Sequence, residues 1–185
     1  MVPETKALLF DLDGTLLERD RSVRLFVKQQ YQKYSHHFKD ISENHYLHTF
    51  ISLDQRGYVW KDKVYQTMLE NYGITDISWE ALLDDYIHNF HTNCLPSNNL
   101  DAVFNILKEM GFALGIITNG FTEFQLKNIK ALGIERYMDV ILISEKEGLK
   151  KPNTALFQRT LKVLDTAPDQ SIYVGDTFIE PSLQV

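Results

Sequence analysis

Residues 7–16 read Ala7-Leu8-Leu9-Phe10-Asp11-Leu12-Asp13-Gly14-Thr15-Leu16, an unbroken apolar run that ends in two carboxylates and a glycine. An apolar run with no polar alternation suits a strand covered on both faces, as in a parallel sheet. Three later runs repeat the pattern: Phe112-Ala113-Leu114-Gly115-Ile116-Ile117, Val140-Ile141-Leu142-Ile143 and Ile172-Tyr173-Val174. Apolar residues at helical spacing precede each of them. Leu100, Val103, Phe104 and Leu107 precede the second strand, and Phe124, Ile129 and Leu132 the third, with Gly133 as the helix stop. Ala155, Leu156, Thr160, Leu161 and Leu164 precede the fourth. This alternation predicts an α/β fold with a doubly wound, Rossmann-like parallel sheet.

The stretch between the first and second strands is too long for a single crossover. It carries amphipathic helical patterns over Val23 to Tyr34, Tyr46 to Leu53, Val59 to Tyr72 and Trp79 to Phe90, with few strand signals. We therefore expect residues 18–95 to form an inserted α-helical cap domain, and residues 1–17 and 96–185 to form the α/β core. The cap needs a small core of its own, which its Tyr, Phe and Trp residues supply. The clusters Tyr31/Tyr34 and Phe50/Tyr58/Trp60 are assigned to that core rather than to a base-stacking platform.

A chain of 185 residues at 44% hydrophobic content allows one domain plus an insertion. A formal net charge of -6 disfavours binding a nucleic acid polymer through bulk electrostatics. The single thiol, Cys94, offers no disulfide framework and fits a reducing compartment. No stretch approaches the roughly 20 apolar residues of a membrane span, and no signal peptide precedes the first strand. A cytoplasmic location is expected.

The strand ends carry the chemistry. Asp11 and Asp13 stand two residues apart at the carboxyl end of a buried strand. Like charges ~4 Å apart repel by about 4 kcal/mol at an effective dielectric of 20. A divalent cation with a preference for hard oxygen ligands, Mg²⁺, would offset this. A turn in which both aspartates cap backbone amides is the alternative for this motif taken alone. The second strand ends Ile117-Thr118-Asn119-Gly120, where a hydroxyl and turn amides can hold phosphate oxygens or simply cap a helix. Lys151 precedes Pro152 and could set a point charge in a site or lie on a solvated surface. The fourth strand ends Val174-Gly175-Asp176. In a parallel sheet these ends share one edge, where ligands bind. The charges also balance: Asp11, Asp13 and Asp176 give -3, Mg²⁺ and Lys151 give +3.

Asp11-Leu12-Asp13-Gly14-Thr15, Thr118, Lys151-Pro152 and Gly175-Asp176, in this order and spacing, resemble a phosphatase of the haloacid dehalogenase (HAD) superfamily with a helical cap after the first motif. The resemblance implies a Mg²⁺-dependent phosphomonoester hydrolase working through an aspartyl phosphate. It implies Asp11 as nucleophile and Asp13 as the acid that protonates the leaving group and then activates water. Thr118, Asn119 and Lys151 would bind substrate. Asp11, the main-chain carbonyl of Asp13, and Asp176 would hold Mg²⁺. An acid at Asp13 argues for phosphoryl transfer, since dehalogenases of the superfamily lack one there. Ile117-Thr118-Asn119-Gly120-Phe121-Thr122-Glu123 and Ile143-Ser144-Glu145 are similar to the 5'-nucleotidase and acylneuraminate-9-phosphatase branches, so the expected partner is a small phosphorylated metabolite, a nucleotide or a sugar phosphate.

The sequence departs from the family pattern near its end. The family places a second acid four or five residues after the last motif aspartate, where this chain has Glu180 and Pro181. The C-terminal part of the core is expected to be missing, leaving the fourth strand as an edge prone to self-association. That departure motivates an alternative class, a weakly active or inactive binding module, beside a phosphomutase that returns the phosphoryl group to a sugar. The six histidines all fall in the insertion; His45/His48 and His88/His91 are i,i+3 pairs without the further ligands that zinc needs.

Overall fold

The computed structural model describes residues 4–176 and divides into two compact units, one comprising residues 1–18 and 94–185 and the other Arg19–Asn93. Glu180 and Pro181 lie outside the described residues.

In the first unit β1 (Ala7–Phe10), β2 (Ala113–Thr118), β3 (Val140–Ile143) and β4 (Ser171–Val174) form a parallel sheet in the order β3-β2-β1-β4. Helices α5 (Leu100–Glu109), α6 (Thr122–Ala131), the single turn α7 (Ser144–Glu147) and α8 (Thr154–Val163) make the connections. The α/β parallel fold is therefore as the apolar runs predicted. β2 begins one residue later than expected and ends on Thr118, and the stop after α6 is Gly133 in a left-handed conformation, φ +69°.

The apolar strands bury two faces because helices cover both. On one face Leu9, Ile117 and Leu142 pack with Leu156 and Leu161 of α8. Gly115 lies on this face, and a side chain there would meet Val140, Leu9 and Thr160 at 2.9 to 3.4 Å. The missing Cβ thus sets how closely α8 can approach. On the other face Phe10 meets Phe104 of α5 edge to face, with ring centroids 5.5 Å apart, and Phe104 meets Tyr137. β4 is an outer strand among the described residues, and its Ile172 and Val174 are 49% and 40% exposed.

The second unit holds α1 (Arg19–Tyr34), α2 (Glu43–Asp54), α3 (Lys61–Tyr72) and α4 (Trp79–Asn89). Ser42 and Ser78 cap α2 and α4 by accepting from His45 N and Ala81 N. Its core is aromatic: Phe26, Tyr46, Phe50, Tyr65, Tyr86 and Phe90 are all buried. Tyr58, assigned to this core from sequence, is instead 84% exposed. It follows a turn in which Gln55 and Arg56 both take positive φ and lies between α2 and α3, so nearness in sequence to Phe50 and Trp60 does not bring it into their core.

Polar groups the sequence did not reveal lie inside this unit. Gln30 is buried, accepts from the hydroxyls of Tyr65 and Tyr46 at 2.7 and 3.2 Å, and donates to Leu82 O and to Asp85. Asp54 and Lys61 form a buried ion pair that Arg19 joins at 2.8 Å. Removing one member of such a cluster would leave the others buried and uncompensated, at a cost of about 3–5 kcal/mol. Among the described residues no helix is long and apolar enough to cross a membrane.

Candidate active site

Parallel pairing brings the carboxyl ends of β1 to β4 to one edge of the sheet. Asp11 still belongs to the ladder, its N–H donating to Val174 O at 2.9 Å. The chain then folds tightly: Leu12 O accepts from the N–H groups of Leu16 and Leu17, and Gly14 N–H donates to Leu17 O. Ser97 fastens this loop to the returning chain, its hydroxyl donating to Thr15 O at 2.6 Å and its N–H to Leu16 O at 3.0 Å. Gly14 is in a left-handed conformation at φ +80°, and the carboxylate of Asp176 packs directly against its Cα. A Cβ on residue 14 would lie 2.8 Å from Asp176 Cγ. Glycine at this position is therefore what admits the acid from the end of β4 into the loop that carries Asp11 and Asp13.

Asp11 is 14% exposed and Lys151 9% exposed, and they pair at 2.5 Å between Lys151 Nζ and Asp11 Oδ1. The same Oδ1 accepts from Leu12 N–H at 2.7 Å. Lys151 Nζ also donates to the hydroxyl of Tyr173 at 3.1 Å. Burial raises the Tyr173 hydroxyl pKa, and the negative charges of Asp11 and Asp176 raise it further, so the phenol stays neutral beside the lysine.

Lys151 is set in place by Asn119. The Asn119 side chain accepts from Lys151 N–H at 2.8 Å and donates to Lys151 O at 3.2 Å. Sequence reasoning marked Asn119 for substrate; in the structure both ends of its amide hold the lysine's main chain. Neighbouring strand ends fix the loop in turn. Ser144 Oγ accepts from Gly120 N–H at 2.9 Å, and Glu145 accepts from Thr122 N–H at 2.7 Å. The latter bond caps α6 and lowers the Glu145 pKa from its ordinary value.

Thr118 is fully buried. Its hydroxyl donates to Asn119 O across 3.4 Å, a long bond that a phosphoryl oxygen could outcompete. It accepts from Gln125 Nε2 at 2.9 Å. Gln125, on α6, also donates to Asp13 Oδ2 at 2.7 Å and to Asn119 O at 3.0 Å. Neither Gln125 nor Tyr173 was singled out from the sequence. A glutamine in a helix and a tyrosine in a strand carry no signal of their own, and what distinguishes them is a tertiary contact.

Asp11, Asp13, Thr118, Lys151 and Asp176 thus share one edge, linked by Asn119, Gln125 and Tyr173. The donor set suits a hard divalent cation: Asp11 keeps Oδ2 beyond the bonds to Lys151 and Leu12, and Asp176 brings a second carboxylate alongside. Among the described residues no group of three or more His, Cys, Asp or Glu side chains gathers to hold a metal. A cation here would rest on two carboxylates and main-chain oxygen. The histidine pairs form no such group either, and His45, His48 and His88 are exposed.

A family model described as haloacid dehalogenase-like hydrolase matches residues 8–180. A glyceraldehyde 3-phosphate phosphatase of Methanopyrus kandleri is 26% identical over 189 aligned positions, covering 92% of this chain and 75% of its own. A phosphoglycolate phosphatase of Aquifex aeolicus is 25% identical, covering 93% of this chain and 76% of its own. Some curated matches are shorter, down to 29% of the relative's length. Among solved structures, the magnesium-bound YfnB of Bacillus subtilis superposes with a TM-score of 0.74 at 20% identity, covering 96% of this chain and 80% of its own.

Proposed function

The chain belongs to the haloacid dehalogenase-like hydrolases, and from that premise we propose that it hydrolyses a small phosphomonoester with Mg²⁺, forming and breaking an aspartyl phosphate on Asp11. The observation that carries this reading is the Asp11–Lys151 pair at 2.5 Å on the strand edge where Asp176 and Asp13 also stand. A carboxylate oriented by a lysine and one main-chain amide at the ligand-binding edge of the sheet is placed to act as a nucleophile.

Lys151 and the Thr118 hydroxyl bind the phosphoryl oxygens and orient the phosphorus toward Asp11. A carboxylate oxygen of Asp11 attacks phosphorus as the ester P–O bond breaks, and Asp13 delivers a proton to the departing oxygen. Asp13, now ionised, takes a proton from water as that water attacks the phosphorus of the aspartyl phosphate. The P–O bond to Asp11 breaks, inorganic phosphate leaves, and both side chains return to their starting states. Asp11, Asp176 and the Asp13 carbonyl would hold Mg²⁺, whose charge offsets that of the phosphoryl group and the carboxylates. Asn119 and Tyr173 hold Lys151 at its main chain and its ammonium. Names of the phosphatase relatives support a small phosphorylated metabolite as substrate.

The test is phosphate release from p-nitrophenyl phosphate with and without Mg²⁺, in the wild type and in Asp11→Asn. Release that requires Mg²⁺ and falls on the order of 10⁴-fold or more in Asp11→Asn is expected. Comparable release by both proteins would refute the assignment. A wild type that binds the ester without hydrolysing it would favour a binding module.

A further inference from the structure

The strongest unassigned feature is a file of buried amides behind Asp13. Gln125 is 2% exposed and Asn128, one turn on, is fully buried. Gln125 Nε2 lies 2.7 Å from Asp13 Oδ2, 2.9 Å from Thr118 Oγ1 and 3.0 Å from Asn119 O. Its Oε1 accepts from Asn128 Nδ2 at 3.1 Å, and Asn128 Oδ1 accepts from the Cys94 thiol at 3.5 Å.

The polarity of this file is fixed from both ends. The Asn119 oxygen is a main-chain carbonyl and can only accept, so the amide edge of Gln125 that faces it, and faces Asp13, is the NH₂ edge. The opposite oxygen must then accept, which Asn128 satisfies. Asn128 in turn presents its oxygen to a thiol that burial, with the charge of Asp13, pushes up to about 12, so the thiol keeps its proton to donate. Space is reserved for the arrangement as well. Gly120 has φ +147°, and a Cβ there would meet Gln125 Cγ at 2.9 Å and Nε2 at 3.0 Å.

We propose that Gln125 is a positioning residue for the proton-transferring acid: held by Asn128 and Cys94, it anchors Asp13 by Oδ2 and so fixes the orientation in which the carboxyl meets the leaving oxygen. Through the same NH₂, whose second hydrogen is shared between Thr118 Oγ1 and Asn119 O, it fills an acceptor site on Thr118, so that the Thr118 proton, now on a long bond to Asn119 O, is the one a phosphoryl oxygen draws away. The inference rests on the reading of Asp13 as acid. It extends that reading to three residues that touch neither substrate nor metal.

The kinetic test uses the full chain with Mg²⁺ and two esters of similar shape, p-nitrophenyl phosphate and phenyl phosphate. Phenolate is the poorer leaving group and depends more on the acid. In Gln125→Met, close in size and without a donor, kcat/KM for phenyl phosphate should fall on the order of 10²-fold, and for p-nitrophenyl phosphate by roughly tenfold or less. Asn128→Asp, which removes the donor to Gln125 Oε1 without touching Asp13, should show the same split with a smaller loss. Equal losses on both esters, or none, overturn the proposal. Asp13→Asn separates the two claims: a variant that itself shows no leaving-group split refutes the acid, and the Gln125 assignment falls with it. A crystal structure of Gln125→Leu decides without turnover. An Asp13 carboxylate rotated away from its wild-type position is expected, and an unmoved one overturns the proposal.

Discussion

Gly14→Ala adds one methyl group, removes no charge and deletes no candidate ligand. Its cost can be worked from the backbone and one contact. At φ +80° an alanine costs about 1–2 kcal/mol of backbone strain. The new Cβ would lie 2.8 Å from Asp176 Cγ, against the roughly 3.5–4.0 Å at which carbon atoms normally rest. The Asp176 carboxyl must therefore retreat by about 1 Å, while metal–ligand distances tolerate only about 0.2 Å. We expect Mg²⁺ affinity to drop roughly 10- to 100-fold, the scale seen when support for a metal ligand is lost. The melting temperature without metal should fall by about 2–8 °C, from the backbone strain alone. Calorimetric titration with Mg²⁺ reads the first quantity, and thermal melting with and without Mg²⁺ reads the second. Asp176→Ala should lower Mg²⁺ affinity at least as much. An affinity equal to wild type in a Gly14→Ala protein that melts several degrees lower would refute the reasoning, because it would detach Asp176 from the metal site.

Three further outcomes can be measured at Asn119 and Cys94. Asn119→Ala removes both bonds to the Lys151 main chain, so kcat/KM should fall roughly 10- to 100-fold with the melting temperature nearly unchanged, and steady-state kinetics beside a melting curve would check this. For Cys94, the folded thiol titrates at about 12 against an ordinary value of 9. The folded state thus binds more protons in that window, and its stability should fall as pH rises from about 9 toward 12, which denaturant melts at stepped pH would show against a Cys94→Ala control. Labelling of Cys94 by a thiol reagent near pH 8 should be slow until the protein unfolds.

The sheet was legible because its strands are buried on both faces, so Ala7–Phe10 and Val140–Ile143 appear as plain apolar runs. The candidate acids were legible because charge at the end of a buried strand needs a reason, whereas Lys151 lies beyond the end of β3 and gained its role only from the family resemblance. The supporting residues were not. Gln125 reaches Asp13 across 112 positions of sequence, and nothing local separates it from a solvated helix residue. Asn119 was visible as a polar residue at a strand end, but its engagement with Lys151 depends on the loop after β3. In the helical unit, periodicity found the helices and missed the buried Gln30–Asp85 and Asp54–Lys61 contacts. Those contacts satisfy polar groups that a hydrophobic pattern does not register.

The central claim, that Asp11 becomes phosphorylated during turnover, is tested most directly by quenching the reacting enzyme and reducing it with borohydride. Reduction of an acyl phosphate converts the aspartate to homoserine, which peptide mass spectrometry locates. Homoserine is expected at position 11, dependent on substrate and Mg²⁺. Sustained turnover with Asp11 unmodified under conditions that trap a known aspartyl phosphate would contradict it.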